Sequence, residues 1–220
     1  MKDRSLPLFY LKEFFGLSEF YLPGTRDRGR AFSLLAEAAA RCRRCPLGVG
    51  RKRNVFGWGN PYARLMLVGE GPGREEDDLG KPFVGKSGEL LTRLLGEIGI
   101  DRERDVYIAN VVKCRPPENR DPTPPEISVC FRFLKLQVEI ISPDLILCLG
   151  RFAARALLGL PTDEKNSFEP LRGKLHRSIL GPALIATYHP SYVARNQAKP
   201  EVIAAARNDF AWVASVMGWR

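Results

Sequence analysis

Arg64-Leu65-Met66-Leu67-Val68-Gly69 is a short apolar run closed by glycine. It lacks the polar–apolar alternation of a half-exposed strand, so both of its faces must be covered, as in a strand at the centre of a parallel sheet. Residues 105–112, 144–149 and 183–188 have the same character. Between these runs the periodicity becomes helical. Ser87 to Ile98 sets Leu90, Leu91, Leu94 and Leu95 on one side, and Gly99 stops it. Gly29 to Arg44, Pro125 to Ile141, Phe152 to Leu158 and Val202 to Met217 also read as helices. Strands alternating with helices predict the α/β class, with a mostly parallel sheet covered on both faces.

The 220 residues are enough for one domain with a core of its own. Residues 1–28 stand apart, crowding Leu8, Phe9, Tyr10, Leu11, Phe14, Phe15, Leu17, Phe20, Tyr21 and Leu22 ahead of Pro23-Gly24. They are expected to form an apolar arm packed on a domain spanning 29–220. The net charge is +9, an excess whose commonest partner is a polyanion such as nucleic acid. No run is long and apolar enough for a membrane span, and Leu6 to Leu11 is too short for a signal segment. A cytoplasmic monomer is expected. Five cysteines in a reducing compartment argue against a disulfide framework. With 24 Arg to 10 Lys, and only seven Asn and two Gln, the composition points towards a thermophile.

In open α/β sheets, ligands bind beyond the carboxyl ends of the strands. Here those loops begin at Glu70, around Asn110, after Leu149 and at His189, and Glu70, Asn110 and His189 are suited to recognition. Gly80 to Ser87 matches the phosphate-loop pattern letter by letter, which raises a nucleotide hydrolase as an alternative. Against it, the loop does not follow its strand directly, and its Pro-Phe-Val interior suits backbone wrapping of phosphate poorly. Cys42-x2-Cys45 and Cys114-x15-Cys130 supply four thiols, a set able to hold zinc or an iron–sulfur cluster. Cys148 lies mid-strand and reads as a small buried hydrophobe. Arg41, Arg43, Arg44, Arg51, Lys52 and Arg53 surround the first pair, either as a solvated loop or as a phosphate-contacting surface.

Together these segments resemble the family 4 uracil-DNA glycosylases. The resemblance is carried by Val55-Phe-Gly-Trp-Gly-Asn-Pro, Leu67-Val-Gly-Glu-Gly-Pro-Gly-Arg-Glu-Glu-Asp77 and Gly80-Lys-Pro-Phe-Val-Gly85. Asn110-Val-Val-Lys-Cys-Arg-Pro-Pro117, Asn119-Arg120, the cysteine quartet, Arg172-Gly-Lys and His189-Pro-Ser-Tyr192 extend it, collinear from about Ala40 to Asn196. It implies a three-layer α/β/α sandwich with a four-stranded central sheet, and a [4Fe–4S] cluster on Cys42, Cys45, Cys114 and Cys130. It implies a monofunctional DNA repair glycosylase acting on uracil in single- or double-stranded DNA, with a non-catalytic damage-binding relative as the alternative. Glu70 and the backbone around Gly71 would line the catalytic end of the pocket, and Phe83 would stack on the extruded base. Asn110 would read the uracil amide edge, and His189 would face the carbonyl that gains negative charge. Glu76 would fill the space of a thymine methyl. Ser191, Tyr192, Val193 and Arg195 are expected on the DNA, with Arg43 and Arg44 on phosphates. Val193 and Ala194 stand where the family usually has two leucines, so the residue expected to wedge the duplex is smaller.

Overall fold

In a computed structural model that describes residues 28–162 and 168–219, the four apolar runs become four parallel strands. The elements in chain order begin with α1 (Arg28–Arg41), the single turn α2 (Leu47–Gly50), β1 (Trp58–Gly59), β2 (Leu65–Gly69) and α3 (Arg74–Leu79). Then come α4 (Lys86–Glu97), β3 (Val106–Asn110), a 3-10 turn at Pro117–Asn119, α5 (Pro124–Ile141), β4 (Leu145–Leu149) and α6 (Arg151–Leu158). The chain continues through β5 (Leu175–Arg177), β6 (Ala183–Thr187), α7 (Pro190–Arg195) and α8 (Pro200–Met217). The arm expected over 1–28 falls outside the described residues, apart from Arg28 at the start of α1.

The sheet order is β1-β3-β2-β4-β6-β5. Its four central strands are parallel, and the two edge strands run antiparallel. The expected four-stranded sheet therefore gains β1 and β5, which at two and three residues are too short to show a period. Successive side chains of a strand point to opposite faces, and the core divides accordingly. Met66, Val68, Tyr107, Ala109, Ile146 and Cys148 face one layer with α1, α5 and α6. Leu65, Leu67, Val106, Ile108, Leu145 and Leu147 face the other, with α4, α7 and α8. Both faces of every central strand are thus apolar and covered, giving the three-layer sandwich.

The ends of the helices follow from local chemistry. Thr123 caps α5, and the Glu126 side chain reaches back to accept from the Thr123 N–H at 2.8 Å. Pro124 and Pro125 occupy the first turn, where a missing N–H costs little. The stretch from Glu70 to Gly85 reads in sequence as one loop, yet it contains α3. A helix of six residues offers too little periodicity to be seen.

β3 lies on one side of β2 and β4 on the other, so the crossovers after β2 and β3 run to opposite layers. This opens a crevice at the carboxyl ends of the strands. The register puts Gly69 beside Asn110, and Leu149 beside Thr187. The strands therefore deliver their following loops at one level.

Candidate active site

Those loops enclose a cavity of about 780 Å³. Glu70, Gly71, Glu76, Phe83, Asn110, His189, Ser191, Tyr192 and Arg195 all line it. Val193 does not. It is only 1% exposed, packed between α4 and α8 in the core, which corrects the expectation that it reaches DNA. Because α7 turns one residue inward and its neighbour outward, the outward position belongs to Tyr192, 38% exposed. Arg43 and Arg44 lie in the turn after α1, away from the cavity, and Arg43 donates to the Cys42 carbonyl at 3.2 Å.

Asn110 ends β3 with its side chain 2% exposed. Its Oδ1 is buried without a hydrogen-bond partner among the described residues. A buried acceptor left unmatched costs about 1–3 kcal/mol, so this oxygen is poised for a donor brought by a ligand. Gly69 makes the placement possible, since a Cβ there would stand 2.5 Å from Asn110 Oδ1 and 2.7 Å from the Phe83 ring.

Phe83 adopts a left-handed conformation (φ 53°), which is costly for a residue with a side chain. Two clamps hold it. Arg102 donates to the Pro82 carbonyl at 3.1 Å and the Phe83 carbonyl at 3.0 Å. From the other side Glu76 accepts from the N–H groups of Val84 at 3.0 Å, Gly85 at 3.4 Å and Gly73 at 3.1 Å. Glu76 therefore lines the cavity with a carboxylate already committed to shaping the loop. Gly88 lets α4 begin directly beneath, since a Cβ there would collide with the Phe83 carbonyl. This geometry also excludes the phosphate-loop alternative: α3 separates the segment from β2, and Phe83 is buried against the cavity.

His189 precedes α7, and its ring lies 5.6 Å from that of Phe83. The Ser191 N–H donates to Nδ1 at 3.1 Å, which leaves the proton of a neutral ring on Nε2. Burial, with help from Arg195, pushes the His189 pKa down to about 4, so the ring is neutral at physiological pH. Glu70 moves the other way. Burial, then the charge of Asp121, raises it to about 7 against the opposing pull of Arg151. Its carboxyl is consequently balanced between its acid and base forms near neutrality.

Several residues of the site were not readable as such in sequence: Asp121 and Arg151 beside Glu70, Arg102 behind Phe83, and Phe168, Glu169 and Tyr188 in the cavity wall. Only Tyr188 carried a signal, being the last residue before His189 at a strand end.

The cysteines gather elsewhere. Cys114 and Cys130 are buried, Cys42 and Cys45 are partly buried, and all four pack into the layer holding α1 and α5. Burial, with the neighbouring Cys45 and Cys42 adding to it, raises the Cys114 thiol against the opposing Arg51, and Cys114 and Cys45 add likewise to the rise of Cys130. No three His, Cys, Asp or Glu side chains among the described residues close around a single-ion site. The sulfurs instead collect donors: Arg51 Nη1 at 2.9 Å from Cys114 Sγ, and the Lys113 N–H at 3.2 Å from Cys130 Sγ. Burial pushes the Cys130 thiol up to about 12, so it stays protonated without a cation. Four thiols packed into one layer, with N–H donors on the sulfurs of Cys114 and Cys130, are a donor set whose chemistry fits an anionic thiolate-bound cluster. Cys148 is fully buried in β4, as expected of a small hydrophobe.

A family model described as the uracil DNA glycosylase superfamily matches residues 56–211. The chain is 49% identical over 170 residues to the type-4 uracil-DNA glycosylase of Thermotoga maritima, covering 77% of this chain and 86% of that one. It is 43% identical over 180 residues to the type-4 uracil-DNA glycosylase of Archaeoglobus fulgidus, covering 80% and 88%. It is 34% identical over 185 residues to the type-5 uracil-DNA glycosylase of Thermus thermophilus, covering 68% and 82%.

Proposed function

This chain belongs to the uracil DNA glycosylase superfamily, and from that premise we propose how it removes uracil from DNA. The reaction is hydrolysis of the N-glycosidic bond, leaving an abasic site. That bond is out of reach inside a stacked duplex, so the nucleotide enters the cavity extruded. Phe83, fixed by its two clamps, takes the face of the base. Asn110 takes the edge, its carbonyl accepting from uracil N3–H and its amide donating to O4. Cytosine presents the opposite pattern at both positions and is opposed by the same group. The orphaned Oδ1 of Asn110 carries this reading, because it awaits a donor of the kind uracil N3–H supplies.

As the bond breaks, negative charge collects on uracil O2 and positive charge on the sugar. His189, neutral and protonated at Nε2, donates to O2. A preset donor of this kind is worth about 3–4 kcal/mol in comparable sites. Glu70 serves the sugar side. In its ionised form it stabilises the sugar cation and accepts the proton of the attacking water, and a pKa near 7 suits a base that must also release that proton.

Cys42, Cys45, Cys114 and Cys130 would hold a [4Fe–4S] cluster, which when bound supplies a structural tie between α1, the segment after β3 and α5. The positive balance of the chain, with the exposed Arg195 on the cavity lining, supports a DNA backbone as the partner, and Arg43 and Arg44 are carried as phosphate contacts by the resemblance alone.

Single-turnover excision with Asn110→Ala and Asn110→Asp tests the assignment. Asn110→Ala is expected to slow uracil release roughly tenfold to a hundredfold, and Asn110→Asp to gain a trace of cytosine release. Wild-type rates in Asn110→Ala would remove Asn110 from the pocket's recognition.

A further inference from the structure

The cavity is larger than one pyrimidine needs, and part of its wall is unused by the uracil site. Phe168, Tyr188 and Tyr192 form a row of rings along that wall, with centroids 6.1 Å apart between the first two and 5.0 Å between the last two. Its central ring, Tyr188, is fixed by a chain of polar contacts. The Tyr188 hydroxyl donates to Glu169 Oε1 at 2.6 Å, and Arg172 donates to Glu169 Oε2 at 3.2 Å while its guanidinium lies 4.7 Å from the Tyr188 ring. Arg172 is in turn fixed by Asp209, both of whose oxygens accept at 3.0 Å, and Thr187 donates to Asp209 at 2.7 Å. Glu169, Arg172, Asp209 and Thr187, from three stretches of chain, thus hold the central ring of the row. The carboxylate nearest to it, that of Glu169, is matched by a phenol and a guanidinium. Tyr192 ends the row towards solvent and shares the mouth with Arg195.

We propose that this row is a second base site, on which the nucleobase neighbouring the extruded uracil stacks, and that it favours single-stranded DNA. The proposal rests on the glycosylase reading above. Continuity with the uracil cavity carries it, since the next nucleotide along a strand entering that cavity must pass this wall. An aromatic surface beside a cationic mouth is the chemistry that binds single strands without sequence preference. In a duplex the neighbouring base stays paired and stacked, and the row gains nothing from it.

The test uses three single-stranded oligonucleotides: one ordinary uracil strand, and two with a base-less nucleotide immediately 5′ or 3′ of the uracil. The wild type is expected to lose roughly fivefold to a hundredfold in kcat/KM on one of the two base-less strands, the range expected for one lost stack. Tyr192→Ala should lose a similar factor on the ordinary strand and nothing further on that base-less strand. Tyr192→Phe should restore the loss. Inhibition by free uracil should stay within twofold in Tyr192→Ala, which shows the uracil pocket intact. A wild type indifferent to both missing bases would overturn the proposal, and so would losses that multiply between variant and strand. Failure of the glycosylase reading looks different: the wild type would then release no uracil from any of the three strands.

Discussion

Replacing Glu76 with alanine tests how the pocket is built. The carboxylate accepts from Gly73, Val84 and Gly85, with two bonds near 3 Å and one at 3.4 Å. Bonds to a charged acceptor contribute about 1.5–3 kcal/mol each, though the long one counts for little, and water can partly replace the acceptor at this half-buried loop. A net loss of about 2–4 kcal/mol against the ordered loop is therefore expected. Phe83 sits at the centre of that loop in a left-handed conformation that local preference opposes, so release of one clamp lets the ring leave the cavity. Each 1.4 kcal/mol of that loss is about tenfold in the closed-to-open ratio, so excision of uracil should fall by roughly thirtyfold to several-hundredfold. The melting temperature should drop by several degrees, at about 2–4 °C per kcal/mol for a domain of this size. Glu76→Gln keeps an acceptor on one side only and should fall between. The assay pairs thermal unfolding with single-turnover excision on uracil and thymine strands. Unchanged stability and full uracil activity, with thymine newly excised, would refute the clamp and leave Glu76 a simple methyl gate.

Other consequences follow from the titrating groups and the sulfurs. Excision should rise with pH through about 7 as Glu70 ionises; Glu70→Gln should flatten that limb, and Asp121→Asn should move it to lower pH by removing a charge that raises Glu70. No limb is expected at the ordinary histidine pKa, because His189 stays neutral down to about 4. For stability the sign follows from His189 being protonated in the unfolded chain below about 6.5 but in the folded chain only below about 4. Its contribution is full above that window and is lost as pH falls through it, which acid titration of unfolding would read. Purified protein should be brown and iron-loaded; Cys114→Ala or Cys130→Ala should bleach it and lower solubility, and a colourless protein with stoichiometric zinc would contradict the cluster. Replacing Arg43 and Arg44 together by alanine should flatten the salt dependence of binding to undamaged DNA, and an unchanged slope would make that turn a solvated surface only.

The central strands were legible because burial on both faces leaves an unbroken apolar run, and the site residues at their ends were legible because position follows from topology. Glu70 and His189 each stand one step past such a run, and Asn110 closes β3, two residues before the end of the run read in sequence. What the chain hides is whatever depends on segments meeting. Val193 and Tyr192 are neighbours in one short helix, and only packing of α7 on α4 and α8 decides which is buried. Glu76 reads as one acid in a run of four, since its partners Val84 and Gly85 return to it only after α3 has formed. Arg102 lies 19 residues from Phe83, in a charged turn with no visible link to it. The aromatic row joins Phe168 to Tyr188 and Tyr192 across β5 and β6, a distance no local pattern spans.

The most direct test of the central claim is a single incubation of the protein with an oligonucleotide carrying one uracil, analysed for free uracil and for alkali-labile strand. The expected result is one free uracil for each abasic site, with an otherwise identical thymine strand left whole. A uracil strand that is bound yet remains intact would contradict the claim and leave a protein that recognises the base without cutting its bond.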